Sequence, residues 1–326
     1  MLLGRGAEGS ALEARAAAER AIAVFERRRD DGELAAALIL LGVVESLRGN
    51  GAAAIAAHLR AREHAVAAGD DRQQVEIWNE LGGAMLFSRT PVEEVLAFLD
   101  EERQWAREKG FPFLEADADL GGPYVYPMLG RFEEGRELCR RSKVIFEELG
   151  AMYNVAEACW AGAQLELLAG DAAAAESELR QALDIHVQGS AKRYSAVVRA
   201  LLARAVQLQG REAEAQELLD QAAADGTPEN LTFQRLWLTA RAQLLAARGE
   251  TSEAARLARE AVNIVAATDQ INAHANALVD LADILRADGD EDGSAAALEQ
   301  ALELYEEKGN VLGVDRVRAA LASARV

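Results

Sequence analysis

Apolar and polar positions recur along the chain in helix-length blocks of about 16 to 18 residues, each closed by a glycine or a short polar break. One series of closures runs through Gly49, Gly130, Gly170, Gly210, Gly249 and Gly289, with Arg89 in the vacant place, at steps of 39 to 41 residues. A second series falls about twenty residues later in each unit, at Gly69, Gly110, Gly150, Gly189, Gly226, Thr268-Asp269 and Gly309. Glycine suits such a place because it accepts the left-handed conformation just past a helix end. Two breaks per unit leave two helices, so each unit is predicted to be a helical hairpin.

The first helix of each hairpin is predicted over 33–48, 71–88, 112–129, 151–169, 191–209, 228–248 and 270–288. The second is predicted over 51–68, 91–109, 132–149, 172–188, 212–225, 251–267 and 291–308. A lone helix within 10–30 precedes the seven hairpins of 33–309, and a capping helix within 311–326 closes a single repeat domain. Small residues at Gly42, Gly82, Ala163, Ala203, Ala242 and Ala282, and at Ala54, Ala175, Ala215, Ala254 and Ser294, let paired helices approach closely. Leu41, Leu81, Leu202 and Leu281 fill the space beside them. Thr90 before Pro91, and Thr251 or Ser252, are expected to open second helices, as Thr227-Pro228 opens a first. A hairpin cannot bury its own apolar faces, but stacking on the next completes the core. The expected fold is all-α: a right-handed superhelical solenoid of antiparallel hairpins, with first helices on the concave side.

Leu41-Gly42 followed by Gly49 and Ala54, with weaker copies at Leu81-Gly82 with Glu94 and at Leu281-Ala282 with Gly289, resembles the tetratricopeptide repeat. The period is longer than that family's usual one. It resembles the long repeats of bacterial maltose-regulator-like transcription activators, actinobacterial antibiotic regulators and multidomain ATPase or nucleotide-cyclase signalling proteins. The closing run from Ala301 to Asn310, and the helix with Arg316 and Arg318, is similar to the end of such arrays. The resemblance implies a regulatory or interaction role in a bacterial protein. The opening on a second-type helix fits either an incomplete cap or a segment of a longer protein.

Acidic residues outnumber basic ones 54 to 35, giving a net charge of -19. That balance disfavours direct nucleic-acid binding, which relies on clustered Lys and Arg. No stretch of 18 apolar residues lacks charges, so no membrane span is expected. Two cysteines cannot staple a chain of 326 residues, which points to a reducing, cytoplasmic setting. No phosphate-binding or dinucleotide glycine motif is present. His58 and His64 lie off the i, i+4 face that chelation needs, and the histidines read as surface or partly packed residues. Cys139 and Cys159 read as buried free thiols on neighbouring helices. Glu101-Glu102 and Glu147-Glu148 read as helix-surface charges, and Asp117 and Asp119 show no partner for acid–base work. Asp288, Asp290, Glu291 and Asp292 favour a helix start rather than a calcium loop. No enzyme chemistry, metal or cofactor is expected.

Counting back from each turn places Glu76, Asn79 and Leu86, then Asp117 and Tyr124, then Glu157, Trp160 and Gln164, on the groove face. Arg204, Gln207, Asn276, Asp283 and Arg286 follow in the later hairpins, and Met128 joins from an irregular stretch. That stretch, Gly121-Gly122-Pro123-Tyr124-Val125-Tyr126-Pro127-Met128, must break or kink its helix. It either bends the superhelix or opens a pocket. Tyr124 and Trp160 either form a binding hot spot or pack beneath neighbours. The acidic first half favours a basic or amine-bearing partner. The expected function is a protein- or peptide-binding scaffold of a signalling or transcription regulator. The alternative is a small-molecule sensor with its pocket near repeats three and four, and a third is dimerisation through a terminal hairpin.

Overall fold

The structure, a computed structural model, describes residues 7–189, 191–227 and 230–323. Among them are seventeen α-helices and one 3-10 helix, and no strand. Helix α1 (Ala7–Arg28) leads into hairpins α2 (Asp31–Leu47)–α3 (Gly51–Ala68) and α4 (Asp71–Phe87)–α5 (Val92–Lys109). The third first-helix is broken into α6 (Pro112–Leu120), α7 (Gly122–Val125) and the 3-10 turn Tyr126–Leu129, paired with α8 (Phe132–Glu148). Then follow α9 (Met152–Ala169)–α10 (Ala172–Gln188), α11 (Lys192–Gln207)–α12 (Glu212–Asp225), α13 (Leu231–Ala247)–α14 (Thr251–Ala266) and α15 (Ile271–Ala287)–α16 (Glu291–Lys308). Helix α17 (Val311–Ser323) closes the array. The architecture is a right-handed solenoid of stacked antiparallel hairpins.

Every glycine of the first turn series has positive φ, from +73° at Gly130 to +85° at Gly170 and Gly289. The second series is mixed. Gly69, Gly110, Gly150 and Gly309 are left-handed, whereas Gly189 and Gly226 keep φ of -76° and -74°. Helix starts are capped by Asp30, Asp70, Asp171, Asn230 and Asp290, whose side chains accept backbone N–H groups. The expected threonine caps differ. Thr90 sits before Pro91 with its hydroxyl 3.0 Å from that of Ser88, and α5 has no side-chain cap. Thr251 is the first residue of α14 and its hydroxyl donates to Asp288 across the stack, while Ser252 follows inside the helix. Pro228 lies outside the described residues.

Small residues sit where paired helices cross. A Cβ on Gly42 would lie 2.4 Å from the ring of His58, and one on Gly162 would lie 3.0 Å from the Cys139 sulfur. His58 is thus no surface histidine. It is fully buried between helices, and burial lowers its pKa to about 4. Cys139 and Cys159 are buried free thiols, pushed up to about 11 and about 12 chiefly by desolvation. Alanine-lined faces with Phe146, Leu179, Leu202, Leu219 and Leu244 form the interior of the middle hairpins.

The stack curves until late turns meet early ones. The Asp269 N–H donates to the Gly49 carbonyl at 3.0 Å, and the Asp269 carboxylate accepts from Ala52 N–H at 3.1 Å, 217 residues away. A Cβ on Gly49 would meet Thr268 at 2.8 Å, so this turn requires the bare glycine on both steric and φ grounds. One turn further on, the buried Lys308 ammonium donates to the carbonyls of Leu86, Ser88 and Thr90 at 3.0, 2.9 and 2.7 Å. Arg89 pairs with Glu307 beside it. Helix α17 lies against the 3-10 turn, and Arg316 reaches the Leu168 carbonyl at 2.7 Å. These contacts form a seam between the two ends of the superhelix.

Candidate functional site

Inside this seam lies a cavity of about 540 Å³. Helices α4 and α5, the broken third first-helix and α9 form one wall, and α13 with the start of α15 forms the other. Of the groove positions expected from the sequence, Asn79, Leu86, Asp117, Tyr124, Met128, Glu157, Trp160, Gln164 and Asn276 line this one cavity. Tyr124 and Trp160 do two jobs at once. Each faces the cavity and is half-buried, Tyr124 against the core of α4–α5 and Trp160 against that of α9–α11. Tyr124 also meets Phe87 edge-on, with ring centroids 5.4 Å apart. The broken helix supplies Leu120, Gly121, Tyr124 and Met128 to the lining, so the break shapes a wall as well as a bend.

Five expected positions fall outside the cavity. Glu76 is exposed at the first half of α4. Arg204 lies 4.0 Å from Asp280 in a half-buried polar cluster of the later hairpins, and desolvation lowers its pKa. Gln207 is at the end of α11, and Asp283 and Arg286 pair with each other at 3.5 Å on the second half of α15. The cause is the seam. It sets the end of α4 against the beginning of α15, so early hairpins line the cavity with their last turns and late hairpins with their first turns. A single groove rule applied to every unit overlooks that shift.

The rule also overlooks Glu80, Glu102 and Arg235, which line the cavity. Glu102 is no surface charge: it is 1% exposed, although its neighbour Glu101 is exposed. The signal was available, since Glu102 stands in line with Val95, Leu99 and Ala106 on the buried stripe of α5. Asp119 takes part in ion pairs, not in an acid–base couple. It is fully buried and held by Arg103 at 2.6 Å and Arg141 at 3.0 Å. Glu147 and Glu148 are exposed, and Asp290 caps α16 through Gly293 N–H at 2.9 Å.

The electrostatics of the wall are one-sided. Burial pushes Asp117 up to about 7, against a hydrogen bond with Asn79, and the charge of Glu80 adds to the rise. Burial raises Glu102 well above the carboxylate range, with Asp117 adding and Arg103 opposing. Glu80 is raised by burial and by Glu76, and Glu157 by burial against a hydrogen bond from Tyr153. Burial also raises Tyr124, whose hydroxyl hydrogen-bonds with Gln164. Asp117 keeps some accessible surface because it opens onto the cavity, yet its surroundings are protein on every other side. Among the described residues no three His, Cys, Asp or Glu side chains converge as a metal site. No helix among them is long and apolar enough to cross a membrane.

No protein-family model and no curated protein matches the chain. Solved structures do match. A Rap protein complexed with competence and sporulation factor aligns with 100% of this chain and 88% of its own, at a TM-score of 0.60 and 11% identity. Its fold is a tetratricopeptide-type solenoid. NprR in complex with its cognate peptide NprX aligns over 84% of this chain and 82% of its own, with TM-score 0.59 and 11% identity. A chain of the APC/C hetero-tetramer Cut9–Hcn1 covers 95% of this solenoid at TM-score 0.61 and 16% identity. The present chain spans 52% of that protein's length.

Proposed function

We propose that this solenoid is the ligand-receiving scaffold of a bacterial signalling or transcription regulator, working in the cytoplasm, and that a short peptide occupies the cavity behind the seam. One observation carries the proposal: the cavity is walled by both ends of the superhelix, so an occupant touches α4 and α9 on one side and α13 and α15 on the other. Whatever binds there stabilises the closed superhelix relative to an opened one, which is the thermodynamic requirement for a ligand to change the state of a scaffold. The likeness to NprR and Rap, solved with a cognate peptide and with competence and sporulation factor, supports a peptide as occupant. A volume of about 540 Å³ also lies within the range of small-ligand sites. The broken third first-helix beside Trp160 therefore supports a second reading, an inducer sensor with a low-molecular-weight ligand.

The test combines thermal-shift screening of a short-peptide panel and a metabolite panel with small-angle scattering on the whole chain. A hit should raise the melting temperature, reduce the radius of gyration, and be lost in Trp160→Ala. Hits that bind Trp160→Ala equally well would place the site elsewhere and end the proposal.

A further inference from the structure

Five acidic residues line the cavity: Glu80 of α4, Glu102 of α5, Asp117 of α6 and Glu157 of α9, from four different helices, and Asp269 in the turn before α15, whose carboxylate accepts from Ala52 N–H. Arg235 of α13 is the guanidinium among the lining side chains, and the charge it faces is Asp280 of the neighbouring helix. Glu102 is the decisive member. It is 1% exposed, lines the cavity, and neither of its carboxyl oxygens has a hydrogen-bond partner. A buried carboxyl with no partner is an expensive feature for a core to keep, since desolvation is uncompensated. The nearby Arg103 does not supply the missing partner, because its guanidinium is held by Asp119 and Asp100, both at 2.6 Å. A hydrocarbon side chain at this position would continue the stripe of Val95, Leu99 and Ala106 at lower cost.

We propose that this wall receives an organic cation, an ammonium or guanidinium group, for which Glu102 is the buried counter-ion and Glu80, Asp117 and Glu157 are the surrounding acceptors. This rests on the cavity being the ligand site, and it fixes the chemistry of the ligand. A bare metal ion is the wrong occupant, because among the described residues no three ligating side chains converge on one point. Charge spread over four helices matches a cation that is extended, or that carries N–H donors in several directions. Tyr124 and Trp160 line the same cavity and offer aromatic faces to such a group. Entry of the cation displaces the proton that burial keeps on Glu102 and supplies its two carboxylate oxygens with donors in a low-dielectric setting, where charge-assisted bonds are strongest.

The cation has two chemical sources, a free amine or the side chain of a Lys or Arg in a peptide. Isothermal titration of the whole chain separates them. The probes are spermidine, agmatine, and short peptides with a central Lys, Arg or norleucine. Norleucine keeps the length of lysine and lacks its charge. Binding of spermidine or agmatine identifies a free amine, and binding of the Lys or Arg peptide alone identifies a peptide. In either case Glu102→Gln, which keeps the shape and removes the charge, should weaken binding by about tenfold or more, in line with loss of a charged hydrogen bond. It should not lower the melting temperature, because a buried carboxyl is removed. Asp117→Asn should give a second loss, coupled to the first because Asp117 acts on Glu102.

Equal affinity for the norleucine and lysine peptides would overturn the cation and leave the scaffold standing, provided Trp160→Ala still abolishes both. Unchanged amine affinity in Glu102→Gln would overturn the proposal. So would the absence of any response to all cationic probes at about 10 mM, beyond the millimolar range where even a weak contact of about 4 kcal/mol registers.

Discussion

The ammonium of Lys308 lies 2.9 Å from the main-chain carbonyl of Ser88, 220 residues away along the chain. Among the described residues no carboxylate pairs with it. Its counter-charge is the end of α4, whose last carbonyls have no helical partners and carry the negative end of the helix dipole. The lysine caps one helix from the far end of another repeat.

Lys308→Met keeps the aliphatic stem and removes the donors. It leaves the carbonyls of Leu86, Ser88 and Thr90 buried without N–H partners, at a cost of about 1–3 kcal/mol. Urea unfolding should show that loss, and small-angle scattering should show a larger radius of gyration. Arg89→Ala at the adjacent, exposed pair with Glu307 should cost less than about 1 kcal/mol and leave the dimensions unchanged. Equal effects would mean that Lys308 does not hold the seam.

The same lysine sets a pH response. Burial lowers its pKa from 10.5 to about 8. Between those values the unfolded chain binds more protons than the folded one, so this group makes the unfolding free energy rise with pH across that window. Denaturation midpoints at pH 7.5 and 9.5, compared between the parent and Lys308→Met, should show the rise in the parent alone. The two test values lie about half a unit below and one and a half above the folded pKa.

Asp117 gives the opposite slope at lower pH. Its carboxyl is pushed from 3.8 up to about 7, so the folded state holds the proton more tightly and stability falls as pH rises through that interval. Asn79, Glu80 and Glu102 are its polar neighbours, and Arg103 acts on Glu102. Asp117→Asn should flatten this segment of the profile and stabilise the protein at pH 8 by ~1 kcal/mol or more. An unchanged profile would show that the wall is better solvated than its burial implies.

Gly42 of the repeat signature and Gly83, the neighbour of the signature glycine Gly82, should respond in opposite directions. Gly42→Ala drives a methyl to within 2.4 Å of the buried His58 ring and should destabilise by about 1–3 kcal/mol. Gly83 lies in the same kind of helix with nothing within 4 Å, so Gly83→Ala should stabilise by about 0.5–1 kcal/mol. Melting curves of the two variants decide the matter directly.

Local order was legible in the sequence because it is local. Gly49, Gly130 and Gly289 punctuate the chain at a fixed interval, and Gly121 to Pro127 break a helix by rules that need no tertiary information. The inward faces of α4 and α9 followed from helical phase, which placed Asn79, Glu157 and Trp160 on the cavity wall. The seam was not legible. Nothing about Lys308 or Ser88 alone signals their meeting, which depends on a small rotation accumulated over several hairpins. Arg204 and Arg286 went astray for that reason: their phase within the helix was sound, but the curvature decides which helical turns face the cavity. Glu102 was misjudged for a simpler cause, since a charge was assumed to mark the outside of a helix whose apolar stripe it interrupts.

A coil spring stretches because neighbouring windings slide apart freely. Here Asp269 and Lys308 fasten one winding to the next, so the molecule should resist tension stiffly at first. Pulled from its two ends in optical tweezers, it should hold, release abruptly where the windings are pinned, and only then lengthen with the soft compliance of an ordinary repeat array.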